Sequence, residues 1–88
     1  MSKNWNEALI IEQIKKIIYN NFSIDLADKP GSMNISELGL DSMGLLDVIM
    51  SIEDVIGQKI NNVELPKNPT MSDVARMVMD NIKASNHG

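Results

Sequence analysis

The sequence predicts an all-α fold: a small bundle of three principal helices plus one short third helix, with a long loop between the first and second helices. Three observations carry this expectation. Ile10, Ile11, Ile14, Ile17 and Ile18 recur at helical spacing, and stretches 42–56 and 71–83 repeat that pattern. No segment alternates apolar and polar residues with the period of two that a strand needs. With 88 residues, the chain has room for one domain, expected over 1–88.

The first helix is expected at about 4–20, where Asn4 and Glu7 are spaced as a capping box and Asn20-Asn21 closes the run. From about Asn21 to Leu40 the pattern breaks, with Asp25, Asp28, Pro30, Gly31, Ser32 and Gly39 as loop formers. Phe22, Ile24, Leu26, Met33, Ile35 and Leu38 are expected to pin this loop to the core. A loop longer than about 12–15 residues is uncommon in a compact domain and often functional. The second helix is expected at 42–56, ended by Gly57. One short turn is expected at 61–65, before Pro66. The last helix is expected at 71–83, with Thr70 and Asp73 as a cap pair, and the tail 84–88 is expected to fray.

Composition narrows the function. The chain has no Cys and its one histidine, His87, lies in the tail, so disulfides and thiolate metal sites are excluded and a structural zinc is not expected. No apolar run approaches the ~18 residues of a membrane span, and no secretory leader pattern opens the chain. A soluble cytoplasmic protein is expected. The net charge is −4, and residues 37–64 concentrate the acids: Glu37, Asp41, Asp47, Glu53, Asp54 and Glu64 stand there against Lys59 alone. Such a surface repels phosphate backbones and attracts basic protein surfaces, which argues against nucleic acid as a partner.

Placed 100° apart around a helix, residues 42–56 divide into two faces. Leu45, Val48, Ile49, Ile52, Val55 and Ile56 share the side expected to face the core. On the opposite side Met43 and Met50 share a sector with Asp47 and Asp54, flanked by Leu46 and Glu53. Isolated surface Met residues and acids can be mere solubility; together they make a docking face, with adaptable thioethers framed by charges that steer basic partners.

Ser42 heads this helix, and a serine there is most often an N-cap. The run Glu37-Leu38-Gly39-Leu40-Asp41-Ser42-Met43, with Asp47 five residues after the serine and Glu53-Asp54 at the far end of the helix, resembles the acyl carrier protein family. The likeness extends over nearly the whole order of elements. It implies that Ser42 carries a phosphopantetheine arm transferred from coenzyme A by a phosphopantetheinyl transferase, and that the arm's thiol holds acyl groups as thioesters. It implies a carrier with no catalysis of its own, used by acyl-loading and acyl-processing enzymes with basic docking surfaces. Met43 and Met50 match the family's apolar docking positions, and Asp47, Glu53 and Asp54 its acidic ones; Glu64 is a looser correspondence. Asp41 either assists modification, through the transferase's bound metal, or caps the helix. Leu46, Ile49 and Leu65 line a possible acyl cleft or, more ordinarily, pack in the core. A monomer is the default, because partners must reach Ser42.

Two positions depart from the pattern. Met43 stands where Leu usually follows the serine, and Gly44 stands where fatty-acid-synthesis carriers commonly have an acid. The string Asp-Ser-Met-Gly also looks like D-alanyl and other aminoacyl carriers, whereas the acids of the helix look like lipid and polyketide carriers. The cargo class expected is therefore an acyl chain of fatty-acid, polyketide or specialised lipid synthesis, with an aminoacyl or peptidyl carrier as the alternative. A different class, a helical adaptor with no cofactor, would use the Met and acid face alone. A serine hydrolase fares poorly, since Ser42 has no candidate base but His87.

Overall fold

The computed structural model describes residues 5–60 and 63–85. Among them the chain forms α1 (Glu7–Phe22), a 3₁₀ turn (Ile35–Leu38), α2 (Ser42–Ile56) and α3 (Met71–Ser85). Among the described residues the only β-type pairing is an isolated bridge between Asn34 and Thr70. No described helix is long and apolar enough to cross a membrane.

Each helix buries the stripe its spacing marks. Ile10, Ile14, Ile17 and Ile18 of α1, Val48, Ile49 and Ile52 of α2, and Met71, Val74, Ala75, Met77 and Val78 of α3 form one core, with α1 packed against both other helices. The core is almost wholly aliphatic, so dispersion and burial of branched side chains hold it rather than aromatic stacking.

The loop between α1 and α2 is anchored as its apolar residues predict. Leu26 and Ile35 are buried, and Phe22, Ile24, Met33 and Leu38 pack partly against the core. Backbone hydrogen bonds then sew the loop to the start of α3: the Ser72 N–H donates to the Gly31 carbonyl, and the Ile35 N–H to that of Pro69, each at 2.9 Å. The Asn34 side-chain amide adds a bond to the Asn68 carbonyl at 3.1 Å. Gly31 is small for a reason, since a Cβ there would stand 3.0 Å from both Ile11 and Ser72.

Several boundaries differ from expectation. Asn4 lies outside the described residues, and Asn6 is the cap of α1, its side chain accepting the Leu9 N–H at 2.8 Å. Asn20 and Asn21 do not close α1; the helix continues to Phe22 because Ser23 adopts the left-handed conformation and donates its N–H to the Tyr19 carbonyl. Of the short helix expected at 61–65, Asn61 and Asn62 lie outside the described residues, and Val63–Leu65 are not helical. Pro66 disfavours helical backbone in the residue before it, and the short helix forms instead at Ile35–Leu38, where the Glu37 carboxylate accepts the Asn34 N–H. Of the tail, Ala84 and Ser85 continue α3 and residues 86–88 lie outside the described ones.

The cap of α3 is as predicted. The Thr70 N–H donates to the Asp73 carboxylate and the Asp73 N–H to the Thr70 hydroxyl, both at 3.0 Å. Gly57 ends α2 in the left-handed conformation, as expected of a residue past the last turn. Val55, expected in the core, is 40% exposed, because it lies at the edge of the α2 stripe centred on Val48 and Ile52. This difference is measurable by urea denaturation. Ile52→Ala is expected to cost about 2–5 kcal/mol of stability, and Val55→Ala under about 0.5–1 kcal/mol. Equal losses at the two positions would place Val55 in the core after all.

Candidate functional site

The start of α2 is set by a short sequence of constraints. The 3₁₀ turn ends at Gly39, which sits at φ 81° and donates its N–H to the Ser36 carbonyl at 3.1 Å. A Cβ at this position would meet no neighbouring atom, so glycine is required by the backbone alone. The chain then turns through Leu40 into Asp41, whose side chain accepts the Gly44 N–H at 2.9 Å and whose carbonyl accepts the Leu45 N–H at 3.0 Å. Asp41 is therefore the N-cap and Ser42 the first helical residue.

The expectation that Ser42 caps the helix is corrected by this geometry. Asp41 takes the capping role because its carboxylate reaches the third N–H of the helix, which a side chain one residue later does not. The consequence is chemical. Ser42 is exposed, and its hydroxyl has no hydrogen-bond partner among the described residues. The backbone N–H groups of Ser42 and Met43, which precede the first intrahelical donors, are also unpaired there. An unengaged hydroxyl thus stands at the positive end of α2, where a negative charge is favoured by the helix dipole.

Gly44 is buried under Leu40. A Cβ at Gly44 would stand 3.4 Å from the Leu40 side chain, at ordinary contact distance, and any longer side chain would have to pass it. Beside Ser42 lies an open groove of about 250 Å³, shared by the 3₁₀ turn, the start of α2 and the segment before α3.

The outward face of α2 carries Met43 at 75%, Leu46 at 53% and Met50 at 61% exposure. Leu46 is not core, as the commoner reading of it would have it; it lies three residues after Met43 and four before Met50 and joins their apolar stripe. Asp47 and Asp54 are exposed along the same side. Glu53 differs from them: it is half-buried, and its carboxylate accepts the Ile60 N–H at 2.8 Å, fixing the chain after α2. Glu64 is exposed on the irregular segment after α2. Ile49 is buried and Leu65 half-buried, both in the core cluster. No described group of His, Asp and Glu residues is arranged to hold a metal ion.

The spacing places Leu46 beside the Met and acid sector but also allows it a core role, because its angular position borders both faces of the helix; its 53% exposure decides for the outward face. Lys67, which lines the groove beside Ser42, gave no signal, since it is 25 residues away in sequence and is brought there by the return of the chain into α3.

Comparison with known proteins adds to this geometry. Residues 12–78 match the family model described as "Phosphopantetheine attachment site", an interval that includes the whole loop, α2 and the groove. The chain is 32% identical over 79 residues to "Acyl carrier protein 2" of Ralstonia nicotianae, covering 89% of this chain and 98% of that one. It is 27% identical over 73 residues to "Acyl carrier protein" of Helicobacter pylori, covering 82% of this chain and 94% of that one. No solved structure matches the chain.

The two residues at the head of α2 are expected to separate in a stability measurement. Asp41→Ala removes the cap and should cost about 0.5–2 kcal/mol in urea denaturation. Ser42→Ala removes an unbonded exposed hydroxyl and should change stability by no more than about 0.5 kcal/mol. A loss at Ser42 as large as that at Asp41 would return the capping role to the serine.

Proposed function

The chain belongs to the acyl carrier protein family, and on that premise we propose that Ser42 bears its phosphopantetheine arm and that the outward face of α2 docks its partner enzymes. As a member of that family it is a carrier and not a catalyst, modified by a phosphopantetheinyl transferase and used by partner enzymes. The observation that carries the assignment to Ser42 is its position: first residue of α2, exposed, hydroxyl unengaged, with unpaired N–H groups at the same helix end.

The residues present fit the arm. A phosphodiester on the Ser42 oxygen would lie at the positive end of α2, and the exposed serine leaves room for it. When bound, the arm supplies a thiol that carries acyl groups as thioesters. The chain's own residues do the rest: Asp41 holds the turn that presents the hydroxyl, and Gly39 permits it. Asp41 is exposed and uses one carboxylate oxygen on Gly44, so the other is open to a metal bound by the transferase.

Met43, Leu46 and Met50 supply apolar area for docking, and Asp47 and Asp54 steer basic surfaces toward it. Glu53 contributes less than its sequence position implies, because it is engaged with the backbone of Ile60. Glu64 is exposed and adds to the same negative field. The reading includes one domain and a cytoplasmic monomer, which leaves Ser42 open to each partner in turn.

For cargo, we favour a specialised lipid, polyketide or aminoacyl pathway over routine fatty-acid synthesis. Gly44 supports this, since it leaves the first turn of α2 without an acid and lies under Leu40. A cofactor-free adaptor is the contrasting class, and it would bind partners equally well without Ser42.

Incubation with coenzyme A and a broad-specificity transferase should add the mass of one phosphopantetheine, and Ser42→Ala should abolish the gain. An unmodified wild-type chain after treatment with competent transferases would overturn the assignment. Charge reversal at both Asp47 and Asp54 to Lys is expected to slow loading about tenfold at low ionic strength, with the effect fading as salt is added. Unchanged loading rates at low salt would reduce those two acids to a solubility role.

A further inference from the structure

We propose that Lys67 holds the phosphodiester of the arm and thereby lays the first part of the arm along the groove beside Ser42. The inference rests on Ser42 as the attachment point. The inner wall of the groove is apolar, with Ile35 and Pro69 buried and Leu40 and Leu45 half-buried. Its exposed edge is polar, made by Ser36 and Lys67, and Asp41 and Ser42 stand at the head of α2. A chain of methylenes and amides suits such a groove better than it suits open solvent, because its carbon atoms meet an apolar wall while its amides stay near water.

Charge decides the direction in which the arm leaves Ser42. The phosphodiester is an anion at neutral pH, and the two sides of Ser42 differ in sign. On the outward side of α2 stand Asp47 and, further along, Asp54, which repel it. On the groove side Lys67 is the one cation in the lining, and it has no ion-pair partner among the described residues. The acid that shares the groove with it, Asp41, gives one carboxylate oxygen to the Gly44 N–H and makes no ion pair with Lys67, so the ammonium is open to a second anion. An exposed, unpaired ammonium beside the attachment point, in a chain of net charge −4, is a ready counter-ion for the only anion the function places there.

Lys67 is in this view a positioning residue. It does not touch the reacting thiol; it sets where the arm rests between visits to partners, away from the docking face that Met43, Leu46 and Met50 present.

The test compares unmodified and arm-bearing protein by ¹H–¹⁵N and ³¹P NMR, with mass spectrometry first establishing one arm per chain on Ser42. In the wild type, amide signals of Ile35, Ser36, Leu40 and Leu45 are expected to shift when the arm is attached. The ³¹P signal should move when ionic strength is raised to about 1 M, where charges are screened beyond about 3 Å. Lys67→Ala should shrink both responses about two- to fivefold, the range expected for one exposed charge pair, and Lys67→Arg should restore them. Lys67→Glu should shrink them further. Responses that are unchanged in Lys67→Ala, or shifts confined to Ser42 and its immediate neighbours, would overturn the role of Lys67 while leaving attachment at Ser42 standing. A failure of the arm to attach at Ser42 would overturn both, and the initial mass measurement distinguishes the two cases.

Discussion

The hydrogen bond from the Gly44 N–H to the Asp41 carboxylate is the constraint on which the rest of the site depends. A helix begins where its first orphan donors find acceptors, and here the acceptor is one residue ahead of the serine. Had Ser42 been the cap, its oxygen would have turned back onto the backbone and been consumed. With Asp41 in that role, the Ser42 oxygen points to no partner and stands at the head of α2. Gly39 makes the arrangement possible upstream by taking a backbone conformation that a residue with a Cβ would resist. The capping carboxylate and the presented hydroxyl are thus two halves of one local solution.

That solution is held in place from outside α2. The segment before it is sewn to the entrance of α3 through Gly31, Asn34 and Ile35, and its Ile35 side chain is buried. The groove beside Ser42 exists because the 3₁₀ turn and the segment around Lys67 and Pro69 meet the start of α2 there. On its other side α2 presents apolar side chains set among acids. Core, attachment position and docking face are therefore consecutive sectors of a single helix, which lets a small chain combine burial with two kinds of contact.

Much of this was legible in the sequence. The isoleucine spacing gave α1, Gly57 and Thr70/Asp73 gave two helix ends, and the Met and acid sector of α2 was readable from angles alone. The misreadings have physical causes. Asn4 and Asn6 are equivalent as cap candidates by type, and only the bond to the Leu9 N–H chooses between them. Ser23 ended α1 in a left-handed conformation that serine seldom adopts, so no local signal announced it. The short helix was expected before Pro66 from Asn61, Val63, Glu64 and Leu65, while the turn that formed at Ile35–Leu38 depended on a long-range bond to the segment before α3. Glu53 and Lys67 changed meaning for the same reason: one is tied to Ile60 and the other is carried to Ser42 by the fold, neither of which spacing reveals.

The most direct measurement is fragmentation mass spectrometry of the intact protein taken from its own cells, locating the added phosphodiester residue by residue. Ser36 is the informative competitor, since it is exposed and lines the same groove as Ser42. The expected result is one phosphopantetheine, carried on Ser42 alone. Modification at Ser36, or a chain that its cells leave wholly unmodified, would contradict the assignment of Ser42 as the attachment point.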